Sequence, residues 1–145
     1  MRESEESANI ELKAYRAITN KKYRKAQKLL AKIDSLEDTE SRIVARNNLG
    51  TAYEKMKELE KAMTLYQANL EEGAHTPHCY IRLAIYYEKM KEYQEALDVV
   101  NKFLEVIENL PKSYGVWGSS GTEKLQKRRI RLLEKIEMQG KSPIN

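Results

Sequence analysis

Two histidines and the single cysteine of the chain stand close together, as His75-x-x-His78-Cys79. Imidazole nitrogen and thiolate sulfur bind zinc, and a thiolate beside an imidazole is also a candidate nucleophile with its base. A closed zinc site needs four ligands, and no fourth residue lies at a recognisable spacing. Neither a glycine-rich phosphate loop nor an oxyanion feature accompanies the cysteine. We therefore predict no metal, no cofactor and no enzymatic activity.

The residues around this cluster indicate a turn followed by a helix. Thr76 is of the type that caps a helix, and Pro77 is of the type that occupies its first turn. Histidines in such a segment are most simply surface residues. The nearby acidic pair Glu71-Glu72 falls at the end of the preceding predicted helix, and we interpret it as solvated charge.

An internal repeat decides the fold. The segment 53–58, YEKMKE, recurs unchanged at 87–92, and Ala62 matches Ala96 at the same offset of 34 residues. The period therefore belongs to a structural unit. Apolar residues spaced three or four apart share one face of a helix, and the polar segment between two such stripes must reverse the chain. Each unit is predicted to be an antiparallel helical hairpin with a short turn.

Within each unit, a leucine, a small residue and an aromatic are followed by an alanine and a bulky residue. These positions are Leu49, Gly50, Tyr53, Ala62 and Tyr66 in one copy, and Leu83, Ala84, Tyr87, Ala96 and Val100 in the next. The second copy also has an aromatic, Tyr80, three residues before its leucine. With its period of 34, the pattern resembles the tetratricopeptide repeat (TPR) family, whose signature is Trp-x-x-Leu-Gly-x-x-Tyr, then Ala-x-x-x-Phe, then Pro. Arg46 departs from it, because it stands where the first aromatic is usual. The resemblance implies an all-α fold, a short right-handed α-solenoid of antiparallel helical hairpins with a C-terminal capping helix.

The 145 residues are expected to form one domain by size. Repeats are assigned to residues 43–76 and 77–110, and a degenerate terminal repeat to residues 7–40. The Gly- and Ser-rich segment 111–121 is expected to be a loop or the remnant of a helix, because glycine costs about 1 kcal/mol relative to alanine in a helix. Residues 122–138 are expected to form the capping helix, which covers the end of the third hairpin.

The capping helix is predicted to begin with a capping box made by Ser120 and Glu123. Its apolar side is predicted to consist of Leu125, Leu132, Leu133 and Ile136. Such a helix would bury the apolar surface that the last hairpin leaves open.

In the TPR family, the first helix of each hairpin lines a concave groove that accepts a peptide or a partner helix. Carried onto this sequence, the groove consists of Tyr15 and Thr19, then Asn47, Asn48, Thr51 and Lys55, then His78, Ile81, Arg82, Ile85 and Lys89. Asparagine amides can bond an extended backbone, and Arg82 with the lysines suits an acidic segment. The resemblance therefore implies a non-enzymatic protein–protein interaction module, a scaffold or adaptor. The plain alternative is that these are merely solvent-facing positions.

One TPR subclass clamps the C-terminal carboxylate of chaperone tails with lysine, asparagine and arginine. Asn48 and Arg82 match this pattern, whereas His78 stands in place of a lysine. Glu11 and Tyr15 stand where lysine and asparagine are expected. A carboxylate at Glu11 would repel the ligand, so we do not expect a chaperone-tail clamp.

The alternative function is nucleic-acid binding by the last helix. Its six basic and three acidic residues leave a net charge of +3, out of +4 for the chain. These residues are Lys124, Lys127, Arg128, Arg129, Arg131 and Lys135, against Glu123, Glu134 and Glu137. With Tyr114 and Trp117 nearby, this helix could contact phosphates and stack a base. A capping helix with a solvated basic face is the simpler interpretation.

Composition agrees with a helical repeat, since 33% of the residues are charged and only 3 are proline and 6 glycine. No apolar run approaches the roughly 20 residues that a membrane-spanning helix needs, and the first residues lack a secretory signal. A single cysteine excludes an internal disulfide. We expect a cytoplasmic protein without membrane contact, and self-association stays open.

Overall fold

The computed structural model describes residues 3–111 and 115–141, and all regular secondary structure in them is helical. The helices are α1 Glu3–Thr19, α2 Tyr23–Asp34, α3 Thr39–Lys55, α4 Leu59–Glu71, α5 His78–Lys89, α6 Tyr93–Glu108 and α7 Ser120–Lys141, with a single 3-10 turn at Gly115–Gly118. The predicted all-α fold is thus confirmed.

The chain forms two compact units, residues 1–72 and residues 73–145. In the first unit, α1 packs against α2 and α3, and α3 packs against α4. In the second unit, α5 packs against α6, and α7 contacts both of these helices. Three helical hairpins result, α1–α2, α3–α4 and α5–α6, which agrees with the hairpins predicted from the sequence spacing.

The three hairpin turns share one backbone conformation. Each contains a lysine in the left-handed region, with φ of 59° at Lys21, 61° at Lys57 and 60° at Lys91. In every turn, the N–H of this lysine donates to the carbonyl three residues earlier, and the next N–H donates to the carbonyl five residues earlier. This Schellman arrangement satisfies carbonyls at the end of the first helix. Glycine is the residue that usually occupies such a position.

A glycine at this turn position is expected to stabilise the first unit. Lys57→Gly removes the steric cost of a left-handed side-chain residue, and we expect a gain of about 0.5–1 kcal/mol after the extra entropy of the unfolded chain is offset. Urea unfolding followed by circular dichroism measures it. The control is Lys28→Gly on the exposed side of α2, which should cost about 1 kcal/mol. Destabilisation by both changes would contradict the role assigned to the turn.

Small residues lie where the helices of a hairpin touch. Ala62 and Ala96 are completely buried. Gly50 faces the buried ring of Tyr66, and a Cβ atom added to Gly50 would lie 2.5 Å from Cε1 of that ring. Gly50 thus permits a close approach of α4 to α3, with Tyr66 as its neighbour.

The aromatic position of the third hairpin fills the core of the second unit. Tyr80 is fully buried, and its ring centroid lies 4.9 Å from that of Phe103 on α6. Its hydroxyl donates to the carbonyl of Ala74 at 2.7 Å. The buried ring thus links α5 to α6 and to the segment before α5.

The start of α5 differs from the prediction. The helix begins at His78, with Pro77 at the N-cap position and no capping bond from a side chain. Thr76 is therefore not the N-cap. Proline has no N–H that needs a partner, which suits it to this end of the helix.

The last helix is longer than predicted and is capped differently. It spans Ser120–Lys141 and not residues 122–138. Its cap is Ser119, whose hydroxyl accepts a hydrogen bond from the Thr122 N–H at 3.2 Å. The predicted pairing of Ser120 with Glu123 is wrong because the helix begins one residue earlier than that pairing requires.

A glycine inside α7 explains why the segment before residue 122 looks like a loop in the sequence. Gly121 is helical, and a Cβ atom there would overlap the ring of Pro77. This glycine permits close approach of α7 to the start of α5. Within the predicted loop 111–121, residues 112–114 lie outside the described part of the chain, and a 3-10 turn follows at 115–118.

The apolar side of α7 is narrower than predicted. Leu125 and Leu132 are fully buried, and Ile136 is half-buried. Leu133 remains 41% exposed, which contradicts its predicted place on the buried side. Consecutive residues on a helix point about 100° apart, so Leu132 and Leu133 face different directions.

Candidate functional site

In the first unit, α1 and α3 lie side by side and are joined by a polar contact. The Nδ2 atom of Asn48 donates to Oε1 of Glu11 at 3.2 Å. Asn48 was predicted to line the binding groove, and Glu11 stands at a position where the carboxylate clamp has a lysine. A carboxylate thus lies beside the amide that a carboxylate clamp would use, which is unfavourable for an anionic ligand at this point.

Three apolar side chains of α1 and α3 are exposed. Leu12 is 47% exposed, Tyr15 44% and Val44 49%. Leu12 and Tyr15 are three residues apart on α1, and Val44 precedes Asn48 by one turn of α3, so each pair shares a face of its helix. We call the surface formed by Leu12, Tyr15, Val44, Asn48 and Thr51 the α1–α3 face.

Sequence analysis identified Tyr15, Asn48 and Thr51 in this region but missed Leu12 and Val44. Both could have been identified from the sequence, because they are apolar residues on helix stripes whose other positions are mostly polar. Lys55 continues the stripe of α3 and is exposed.

Two of the predicted groove residues take part in packing. The Asn47 Oδ1 atom accepts a hydrogen bond from Asn69 Nδ2 at 2.8 Å, and Asn69 also donates to the Ile43 carbonyl at 2.9 Å. The Thr51 hydroxyl donates to the carbonyl of Asn47 at 3.0 Å and lies 3.4 Å from the Tyr66 hydroxyl. Asn47 therefore joins α3 to α4, and its acceptor is already used.

The predicted groove residues of the second unit form one stripe of α5. His78, Arg82 and Ile85 are half-buried and Lys89 is exposed. Their spacing of four, three and four residues places all of them on one face of the helix. Two further residues were predicted to line the groove: Thr19 of α1 is exposed, and Ile81 of α5 is half-buried.

A charged network occupies the position where the repeat signature has an aromatic. The Arg46 side chain is only 7% exposed and is paired with Asp34 at 3.0 Å and with Glu72. Arg42 contacts the same Glu72 carboxylate at 2.6 Å. The hydrogen bond from Arg42, aided by the bond and charge of Arg46, lowers the pKa of Glu72 to about 2 although burial opposes this shift.

Glu72 is therefore not the solvated charge that the sequence suggested. It holds together the end of α4, residues of α3 and, through Arg46, the end of α2. Arg46, which departs from the repeat signature, thus finds its partner Glu72 at a helix end more than twenty positions away. The departure of Arg46 from the signature was visible in the sequence, but its partner was not.

The basic residues of α7 are partly engaged within the second unit. Arg128 is 17% exposed and forms an ion pair with Glu88 of α5, and Arg131 lies 3.6 Å from the same carboxylate. Arg129 donates to Asn101 of α6 at 2.9 Å. Burial lowers the pKa of Arg128, and the neighbouring charges of Arg131 and Arg82 lower it further.

These contacts change the interpretation of the basic helix. Arg128 contributes to holding α7 against α5, so its removal would affect the fold as well as any ligand. Tyr114 lies outside the described residues, and the Trp117 side chain is not described either. The aromatic component of the predicted nucleic-acid surface therefore has no structural account.

The candidate chemistry around the cysteine is also changed by burial. Cys79 is completely buried, and burial raises the pKa of its thiol to about 12. A thiol with this pKa holds its proton at neutral pH and is a poor nucleophile. Within residues 3–111 and 115–141, no three metal-binding side chains of the His, Cys, Asp or Glu types come together.

No protein-family model matches the chain, no curated protein is similar to it, and no solved structure matches it. Among the described helices, none combines the length and apolar character that crossing a bilayer requires. The proposals below therefore depend on the residues and contacts themselves.

Proposed function

We propose that this chain is a TPR-type interaction module, a short right-handed α-solenoid that binds another protein. Two features support the family assignment. The three hairpin turns share their backbone conformation and hydrogen bonds. The small positions of the repeat, Ala62 and Ala96, are both fully buried. A cytoplasmic location belongs to the same proposal and is supported by a lone cysteine kept as a buried thiol.

The observation that carries the binding proposal is the exposed apolar part of the α1–α3 face. Leu12, Tyr15 and Val44 each leave more than two fifths of their area in water. Clustered apolar side chains on a protein surface mark sites of partner binding more often than isolated ones do. Asn48 adds an amide to this face, and such a polar group can fix the position of a bound segment.

The partner that fits this face is a peptide or helix with two or three apolar anchors. The apolar side chains would contribute most of the binding free energy, because buried hydrophobic contacts at the centre of an interface dominate it. The stripe on α5 carries Arg82 and Lys89 and suits acidic residues of a partner. A segment that binds α5 is therefore expected to be acidic, whereas a segment that binds the α1–α3 face is expected to place no free carboxylate beside Glu11.

A charge introduced on the α1–α3 face tests the proposal. The partner is first captured from the native cell and identified by mass spectrometry, and its affinity is then measured by calorimetry. Val44→Asp should weaken binding about tenfold or more, since an unpaired carboxylate would be buried against an apolar anchor. Circular dichroism should be unchanged, because Val44 is half exposed.

The matched control is Ile130→Asp, a similar change at a residue of α7 that is 60% exposed. It should leave the affinity unchanged. Equal loss with both variants, or full affinity with Val44→Asp, would remove the α1–α3 face as the binding site. In the same assay, Asn48→Ala tests the amide contact on α3, and Arg82→Ala tests the contact on α5.

Nucleic-acid binding by α7 is the second candidate. It is less well supported, since Arg128 and Arg129 already have partners within the second unit. Lys124 and Lys127 remain exposed on this helix. Substitution of these two lysines tests nucleic-acid binding by α7.

A further inference from the structure

The strongest concentration of charge in the chain lies outside both surfaces considered so far. Between Glu11 and Asp34 there is no acidic residue, whereas there are eight basic ones. They are Lys13, Arg16, Lys21, Lys22, Arg24, Lys25, Lys28 and Lys32. Since the whole chain carries +4, eight positive charges here leave −4 for the remainder. The segment 12–33 is thus strongly basic, while the carboxylates of the first hairpin lie before and after it, at Glu3, Glu5, Glu6, Glu11 and Asp34.

The fold collects five of these cations around one cleft. The α1–α2 cleft has a volume of about 430 Å³. Its lining consists of Lys13, Arg16, Ala17 and Asn20 from α1 and the turn, and of Lys22, Lys25, Leu29 and Lys32 from the turn and α2. The cations form two rows, one along each helix, and buried Ala17 and Leu29 lie between them.

The spacing of the two rows follows from helix geometry. Lys13 and Arg16 are one turn apart on α1, and Lys25 and Lys32 are two turns apart on α2. Seven residues rise about 10 Å along a helix, and packed helices lie about 8–10 Å apart. The cleft is therefore an elongated strip with positive charge along both sides.

In the part of the chain that the structure describes, the five cations have no acidic partner. Within residues 3–111 and 115–141, none of them forms an ion pair with a carboxylate. Like charges three residues apart on one helix, such as Lys13 and Arg16 on α1, repel each other. A bound polyanion would relieve the repulsion among these cations.

We propose that the α1–α2 cleft binds the phosphate backbone of a nucleic acid, in a manner that does not depend on base sequence. A phosphodiester chain is a linear array of negative charges, which matches two parallel rows of cations. The lining offers no aromatic side chain on which a base could stack, and Asn20 is its single uncharged polar residue. The contacts available are therefore those that position a backbone and do not read its bases.

Two other anionic partners fit the cleft less well. A membrane surface is flat, and it would reach the rims of a concave strip but not the cations within it. An acidic peptide needs pockets or backbone partners for specificity, and a lining of cations with a floor of one alanine and one leucine supplies few of these. Both partners serve as outcomes of the test.

The test uses the full chain and a fluorescent 20-nucleotide single strand, with anisotropy measured at 50 and 200 mM salt. The cleft variant is Lys25→Gln with Lys32→Gln, and the matched control is Lys124→Gln with Lys127→Gln on α7. All four lysines are exposed, so both variants should keep the circular dichroism of the parent. The cleft variant should bind about tenfold more weakly at 50 mM salt, and the control should bind like the parent.

The salt dependence gives a second readout. Each lost phosphate contact should reduce the slope of log K against log salt by about 0.7, and hence two contacts by about 1.4. The proposal is overturned if the parent does not bind at 50 mM salt, or if the cleft variant keeps the parent's affinity and slope. It is equally overturned if only the α7 variant loses binding, which would assign the contact to the basic last helix. If phosphatidylserine vesicles or polyglutamate bind more tightly than the oligonucleotide, the occupant is a membrane surface or an acidic peptide and not a nucleic acid.

Discussion

Gly50→Ala is expected to destabilise the first unit by about 1–3 kcal/mol, against the usual stabilising effect of alanine in a helix. Its new Cβ atom would lie 2.5 Å from Cε1 and 2.7 Å from Cζ of Tyr66. Tyr66 is completely buried, so its ring has no free space into which it could move without displacing other residues. Chemical denaturation followed by circular dichroism would show a lower midpoint.

Gly140→Ala provides the matched control within α7. No atom lies within 4 Å of the Cβ that this change adds, so alanine should stabilise the helix by up to about 1 kcal/mol. The two glycine substitutions should therefore have opposite signs. A midpoint for Gly50→Ala at or above that of the parent would show that Tyr66 adapts and that the close approach at residue 50 is not required.

Glu72→Gln is expected to lower the free energy of unfolding by about 1–3 kcal/mol at neutral pH, because it leaves the nearly buried Arg46 with one fewer carboxylate. The same ion pairs predict a pH dependence. The ion pairs lower the folded-state pKa of Glu72 to about 2, from 4.5 for an unperturbed glutamate. Its contribution is therefore complete above pH 4.5 or so and is lost as the pH falls towards 2.

Stability measured between pH 7 and pH 2 should fall less steeply in Glu72→Gln than in the parent. Glu71→Gln is the control, since Glu71 is an exposed neighbour of the same charge on the same helix. It should reproduce the pH profile of the parent. Identical profiles for the parent and Glu72→Gln would mean that the carboxylate adds nothing to the folded state.

The sequence predicts the local elements well because their causes are local. The period of 34, the small residues at positions 62 and 96 and the polar turns determine three helical hairpins, and the structure contains them. The start of α7 was misplaced because Gly121 disfavours a helix locally. That cost is outweighed by a contact with Pro77, more than forty residues earlier.

The candidate surfaces were harder to predict, since they depend on distant partners. Asn48 and Arg128 were both identified as polar surface residues. The structure gives Asn48 a bond to Glu11, and it pairs Arg128 with Glu88. Periodicity shows which residues share a helix face, but it does not show which charges of two helices meet. The basic run between residues 12 and 33 can be identified from the sequence alone. The cleft that collects its side chains is visible only once α1 is packed on α2.

Because Cys79 is buried, the rate at which its thiol reacts can report local unfolding of the second unit. The chain has a single cysteine, and its thiol is inaccessible and protonated in the folded state. A thiol reagent would therefore react only while α5 is detached from its neighbours, at a rate set by that opening. Timed alkylation read by mass spectrometry would measure local unfolding around α5 without introducing a label, and a ligand that binds and stabilises the second unit would slow it.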